Sequence, residues 1–81
     1  MPAKLRNLSG AEVVGILARF GFETVSRRGS HVKLRRIIHG EKQTLHLPLH
    51  KSMRRGTLHS IYRQALAYIP DEDLRRAFFT S

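Results

Sequence analysis

Apolar residues recur at two different periods along this chain, and the changes of period divide it into elements. Val13, Ile16, Leu17 and Phe20 fall at i, i+3, i+4 and i+7, a single helical stripe. Ser9-Gly10-Ala11-Glu12 ahead of it is a capping box: the Ser9 hydroxyl accepts from the Glu12 amide while the Glu12 carboxylate reaches back. Gly21 behind it suits a left-handed C-cap. The period then shortens. Phe22 to Arg28 and His31 to Ile37 or Ile38 read as strands, with Gly29-Ser30 as a two-residue hairpin turn between them. His39-Gly40-Glu41-Lys42 is a second turn, and Thr44 to Leu47 a third strand whose Leu45 and Leu47 share a face.

Pro48 closes that strand, and Leu49 to Arg55 is a loop. Gly56-Thr57 opens a second helix with Thr57 as N-cap. Leu58, Ile61, Tyr62, Ala65 and Ile69 form its buried stripe, leaving His59, Arg63 and Gln64 on the other side. Pro70 interrupts it, and Asp71-Glu72-Asp73 suits the start of a short third helix with Leu74, Ala77 and Phe78 on one face. Two hairpins in succession predict a three-stranded antiparallel meander whose apolar face the flanking helices cover. The expected class is α+β in the order α-β-β-β-α, with the helices on one face and a short extra C-terminal helix. No repeat or linker interrupts residues 1–81, so one domain is expected.

Composition narrows the class of protein. Hydrophobic residues make up 41% of the chain, enough for one modest core. The absence of cysteine removes a disulfide framework and a thiolate zinc site and fits a reducing cytoplasm. No apolar run approaches membrane-spanning length, and Met1-Pro2-Ala3-Lys4 lacks a signal-peptide apolar region, so no membrane partner is expected.

Charge changes the picture more. Fifteen Lys and Arg against six Asp and Glu give a formal net charge of +9. Residues 1–70 hold 13 basic and 3 acidic groups, so the excess belongs to the folded middle and not to a tail. Arg outnumbers Lys by 11 to 4, which suits bidentate contacts to phosphate. Self-repulsion makes such a balance costly without an anionic partner, and nucleic acid is the expected one.

The basic groups concentrate where the hairpin turns. Between Arg27 and Arg36, five of ten residues are cationic and none is acidic. Alternation along the second strand puts Val32 and Leu34 on the core face and His31, Lys33 and Arg35 on the other. A titratable imidazole in line with two cations, displayed away from the core, offers a polyanion a proton-transfer group.

Four stretches then resemble one family. Phe20-Gly21-Phe22, Arg28-Gly29-Ser30-His31, Leu47-Pro48-Leu49-His50 and Gly56 to Ala65 (Gly-Thr-Leu-His-Ser-Ile-Tyr-Arg-Gln-Ala) stand in the order and spacing of HicA-type toxins. These are small messenger-RNA interferases of bacterial toxin–antitoxin pairs. The resemblance runs from about Ser9 to Ala67. It implies a fold like the double-stranded RNA-binding domain, RNA cleavage that depends on His31, and a HicB-type antitoxin covering the active face. The chain departs from the pattern at Tyr62, where an aliphatic residue is commoner, and in the tail after Ala67 (Tyr68-Ile69-Pro70-Asp71).

Metal-free RNA cleavage needs a base for the ribose 2′-hydroxyl, stabilisation of the phosphorane and an acid for the departing 5′-oxygen. His31 is the expected acid or base, with Lys33, Arg28 and Arg35 on phosphates. Arg27, Gly29 and Ser30 at the turn and His50, Lys51, Arg54 and Arg55 in the loop complete the expected RNA contacts. His46, His50 and His59 are further imidazoles that could assist as a second proton-transfer group, each read first as a phosphate contact or a structural residue. Pro48 prevents a helix that would align His46 with His50, and no acidic ligand lies near, so neither metal nor cofactor is expected. Ser30 has no Asp–His relay and serves the turn. Gly56-Thr57 could bind phosphate through helix amides or simply cap the helix. No pattern marks a DNA-reading helix-turn-helix. A non-catalytic RNA-binding module of the same fold is the alternative to a ribonuclease.

Overall fold

The computed structural model describes residues 3–80. Helix α1 (Gly10–Ala18) precedes strands β1 (Glu23–Arg28), β2 (His31–Ile38) and β3 (Glu41–Pro48), and helices α2 (Arg55–Ala65) and α3 (Asp71–Phe78) follow. The strands form one antiparallel sheet in the order β1-β2-β3. This is the α+β architecture that the hydrophobic pattern predicts, in the order α-β-β-β-α with a third helix added. No helix among the described residues is long and apolar enough to cross a membrane.

Helix α1 is closed at both ends as its sequence requires. The Glu12 amide donates to the Ser9 hydroxyl at 3.1 Å and the Ser9 amide to the Glu12 carboxylate at 2.9 Å. These bonds to Ser9 hold the Glu12 carboxyl below its ordinary pKa. At the other end Gly21 N–H returns to the Ala18 carbonyl and Phe22 N–H to the Leu17 carbonyl, the paired return of a glycine C-cap.

Alternation divides the sheet into two faces. Val32 and Leu34 of β2 and Leu45 and Leu47 of β3 are buried against Val13, Ile16 and Leu17 of α1 and Leu58 and Ile61 of α2. No polar or charged residue is buried among the described residues. All six residues of β1 are exposed, as an edge strand with a bulge between Thr24 and Ser26.

Three elements differ from the sequence reading. Strand β3 begins at Glu41, three residues early, because His39 (φ 50°) and Gly40 (φ 80°) complete a two-residue turn that starts pairing at once. Helix α2 begins at Arg55 with an extended Arg54 as N-cap, so Thr57 sits inside the helix. Buried Met53 anchors the chain to the core just before this point, and tertiary contact overrides capping preference. Helix α2 also ends at Ala65, before Pro70. Ile69 still reaches the core, because its amide donates to the Ala65 carbonyl at 2.9 Å across the intervening turn.

The two departures from the HicA pattern meet in one contact. The Tyr62 hydroxyl donates to the Asp71 carboxylate, and its ring packs edge-on against Phe78 and Phe79 at 5.6 and 5.3 Å. Burial first, and this carboxylate second, push the Tyr62 phenol above its usual pKa. Tyr62 thus docks α3 onto α2. The N-terminal segment closes on the same tail: Arg6 N–H donates to the Phe78 carbonyl at 2.8 Å and Thr80 N–H to that of Lys4 at 2.7 Å.

Candidate functional site

The hairpin turn is built from its two residues upward. Gly29 takes φ 61°, a conformation open to glycine, in the first position that a type II′ turn requires. The Arg27 Nε donates to the Gly29 carbonyl at 3.1 Å, and Leu49 N–H donates to the carbonyl of Ser30. The segment after β3 is held in turn by α1: Gly10 N–H donates to the His50 carbonyl at 2.8 Å. A Cβ on Gly10 would stand 2.5 Å from the Pro48 oxygen and 2.6 Å from the Leu49 Cα, so only glycine lets the helix approach this closely. The turn is therefore fastened to the helix layer through residues 48–50.

Register places the outward side chains in rows. Arg28, His31 and Pro48 share one row, and Ser26, Lys33 and His46 the next. Glu23, Arg35 and Thr44 make a third. His31 is exposed, with its strand neighbour Val32 buried beneath. The first two rows form an open depression of about 510 Å³, lined by Ser26, Arg27, Arg28, His31, Val32, Lys33 and His46.

No carboxylate lines this depression, and the one ion pair among the described residues, Arg76 to Glu72, lies on α3. Apart from Arg27, whose Nε braces the turn, the cations here donate no side-chain hydrogen bond among the described residues. Such a surface can receive an anion directly, with two imidazoles against it.

The other expected contacts divide by position. Arg35 lies one row further along, in a separate depression with Glu23, Val25 and Ile37; its Nε is buried without a partner. Val25 and Ile37 are 45% and 62% exposed, unusual for apolar side chains. His50 and Lys51 are exposed beyond the turn contact, and Arg54 is exposed at the start of α2. Arg55 faces a different groove, with Lys4, Gly56, His59 and Arg63, and is not brought to the His31 depression.

Three residues of the depression, Ser26, Val32 and His46, stand outside the expected contact set. The alternation of β3 puts His46 outward, but its place beside His31 depends on the β2–β3 register, which no local pattern states. Gln64, expected on the free side of α2, instead clamps β3 there. Its amide oxygen accepts from His46 N–H at 2.8 Å and its NH₂ donates to the His46 carbonyl at 3.1 Å.

No curated protein and no solved structure matches the chain significantly. A family model does: that of the HicA toxin of bacterial toxin–antitoxin, over residues 10–66. The matched stretch runs from the glycine that seats α1 through the whole sheet to the end of α2, and includes every side chain of the His31 depression. With well over half of its length in that match, the chain belongs to the HicA family of toxins from bacterial toxin–antitoxin systems.

Proposed function

We propose that this toxin is a metal-independent endoribonuclease that cleaves messenger RNA with His31 as an acid or base. The supporting observation is the exposed His31 imidazole in a depression with Arg27, Arg28 and Lys33 and no carboxylate. RNA supplies its own nucleophile. The 2′-oxygen attacks the adjacent phosphorus, and the protein moves protons and stabilises the phosphorane. Lys33 and Arg28, directly across from His46 and His31, stand where the non-bridging oxygens would lie. Metal independence rests on the donor set, which has no cysteine in the chain and no acidic ligand in the His31 depression.

Arg35, Ser30 and Gly29, with His50, Lys51 and Arg54, extend the RNA contact along the face and around the turn; Arg55 contacts RNA only where the strand passes over α2. A HicB-type antitoxin neutralises the toxin by covering the outer face. Exposed Val25 and Ile37 beside Arg35 give a protein partner apolar surface as well as charge. A messenger-RNA substrate places the protein in the cytoplasm.

The test is incubation of purified wild type and His31→Ala with RNA in EDTA. Wild type is expected to release 2′,3′-cyclic phosphate ends. Loss of one proton-transfer group lowers the rate by about 10²–10⁴-fold. His31 is exposed, so the variant keeps the wild-type circular dichroism spectrum. RNA that is bound but left whole by wild type would identify a non-catalytic module.

A further inference from the structure

The outer face holds a second imidazole in the depression that His31 lines. We infer that His46 is the partner proton-transfer group of His31, so that cleavage runs on a pair of histidines carried by adjacent strands. This rests on the reading of the protein as a ribonuclease.

The pairing follows from register and alternation. His31 stands opposite Pro48 and Lys33 opposite His46, so His46 is the diagonal neighbour of His31 on the outward side. Diagonal positions of an antiparallel pair lie about 7–8 Å apart, room for one phosphodiester between two rings. Both rings line one depression, and Lys33 adjoins both. The other three histidines are elsewhere: His39 in the far turn, His50 beyond β3, and His59 in the groove behind α2.

Two further observations separate His46 from an incidental surface residue. Its side chain is exposed and makes no hydrogen bond among the described residues, so both ring nitrogens are free. Its backbone is held on the outer edge of β3, because Gln64 binds both its N–H and its carbonyl. A proton donor needs a fixed base from which to reach the substrate, and this clamp fixes the backbone that carries the ring.

The step balances without a co-reactant. One neutral imidazole of the pair takes the 2′-hydroxyl proton as the O2′–P bond forms. The other, as imidazolium, gives its proton to O5′ as the P–O5′ bond breaks. The products are a 2′,3′-cyclic phosphate and a 5′-hydroxyl, and exchange with water resets the pair. The charged and titratable groups facing His46 are Arg27 and Arg28 from β1 and His31 and Lys33 from β2, while α2 offers the neutral Gln64.

The experiment compares wild type, His31→Gln and His46→Gln in single-turnover cleavage of a transcript that wild type cuts, from about pH 5 to pH 9. His46→Gln is expected to lower the rate by about 10²-fold, with RNA affinity within a few-fold, and to leave a pH profile with one limb where wild type has two. With a substrate whose 5′-bridging oxygen is sulfur, which leaves without an acid, one of the two variants regains its rate and the other does not. A His46→Gln rate within about three-fold of wild type overturns the inference, as does a slower rate with both limbs intact. His46→Asn repeats the measurement on a side chain that cannot occupy the same space, so a folding defect in one variant is recognised by disagreement with the other. Absence of cleavage by wild type removes the ribonuclease reading itself, and full activity of His31→Gln removes His31, and with it the pair, from the chemistry.

Discussion

Strand β2 is cationic at both ends, and its two ends do opposite things. Around His31 the guanidinium and ammonium groups of exposed Arg28 and half-buried Lys33 line the open depression and bond to nothing among the described residues. Near the far end Arg36, on the inner side with Val32 and Leu34, is wholly engaged. It donates to the Gln43 amide oxygen at 2.6 Å, the Phe20 carbonyl at 2.8 Å and the Tyr68 carbonyl at 2.7 Å. Its guanidinium also lies 4.8 Å from the centroid of Phe22. One arginine thus joins the end of α1, the edge of β3 and the turn after α2. The charge is shared; parity and partners decide whether a cation holds the fold or waits for a ligand.

Replacing Arg36 should therefore cost stability and leave the outer face alone. Arg36→Ala removes three donated bonds and strands two carbonyls at partly buried positions, a loss of about 2–4 kcal/mol. For a chain of this size that lowers the melting temperature by more than about 10 °C. RNA affinity measured well below the melt should stay at the wild-type value. An unchanged melting temperature would make the two ends alike after all.

Gly10→Ala tests how the free end is positioned. The new methyl meets backbone at Pro48 and Leu49, so residues 48–50 or α1 must move, at about 1–3 kcal/mol. Because Leu49 holds the Ser30 carbonyl, this variant should also slow RNA cleavage, which Arg36→Ala should not. The comparison needs both assays on both proteins. Lys33→Ala and Arg28→Ala are the converse. Each should weaken RNA binding several-fold and reduce the slope of log affinity against log salt by about 0.7 per lost single-strand phosphate contact, with no change in melting temperature.

How much of this could be read beforehand depends on the range of the interaction. The capping box, the α1 stripe and the alternation of β2 are local, and the outward display of His31, Lys33 and Arg35 follows from them. Parity likewise separates Arg36 from Arg35. What Arg36 binds does not follow, since Phe20, Gln43 and Tyr68 lie 16, 7 and 32 residues away. The bulge at Val25 is invisible for another reason: an extra residue alters pairing without altering composition. Polar Glu41-Lys42 reads as part of a turn and becomes strand because a two-residue turn forces it against β2. Thr57 satisfies every local rule for an N-cap and is overruled by Met53 in the core.

The smallest expected effect concerns acid, and it sharpens the contrast from the other side. If the outer-face cations were neutralised by carboxylates of the protein, acid would destabilise that face. A carboxylate held below its ordinary pKa is found instead at Glu12, in the α1 cap, through its bonds to Ser9. Its contribution is complete above the ordinary carboxylate range and fades as pH falls through the lowered value, since only the ionised form accepts fully from Ser9. Glu12→Gln should therefore lower the melting temperature slightly at neutral pH, and the gap from wild type should close as pH falls below about 4.5. A gap that persists unchanged in acid would show that the ionised carboxylate is not what closes the cap. An acid loss that survives in Glu12→Gln would place a second engaged carboxylate elsewhere, and beside Arg28 or Lys33 it would mean that those cations already have a partner.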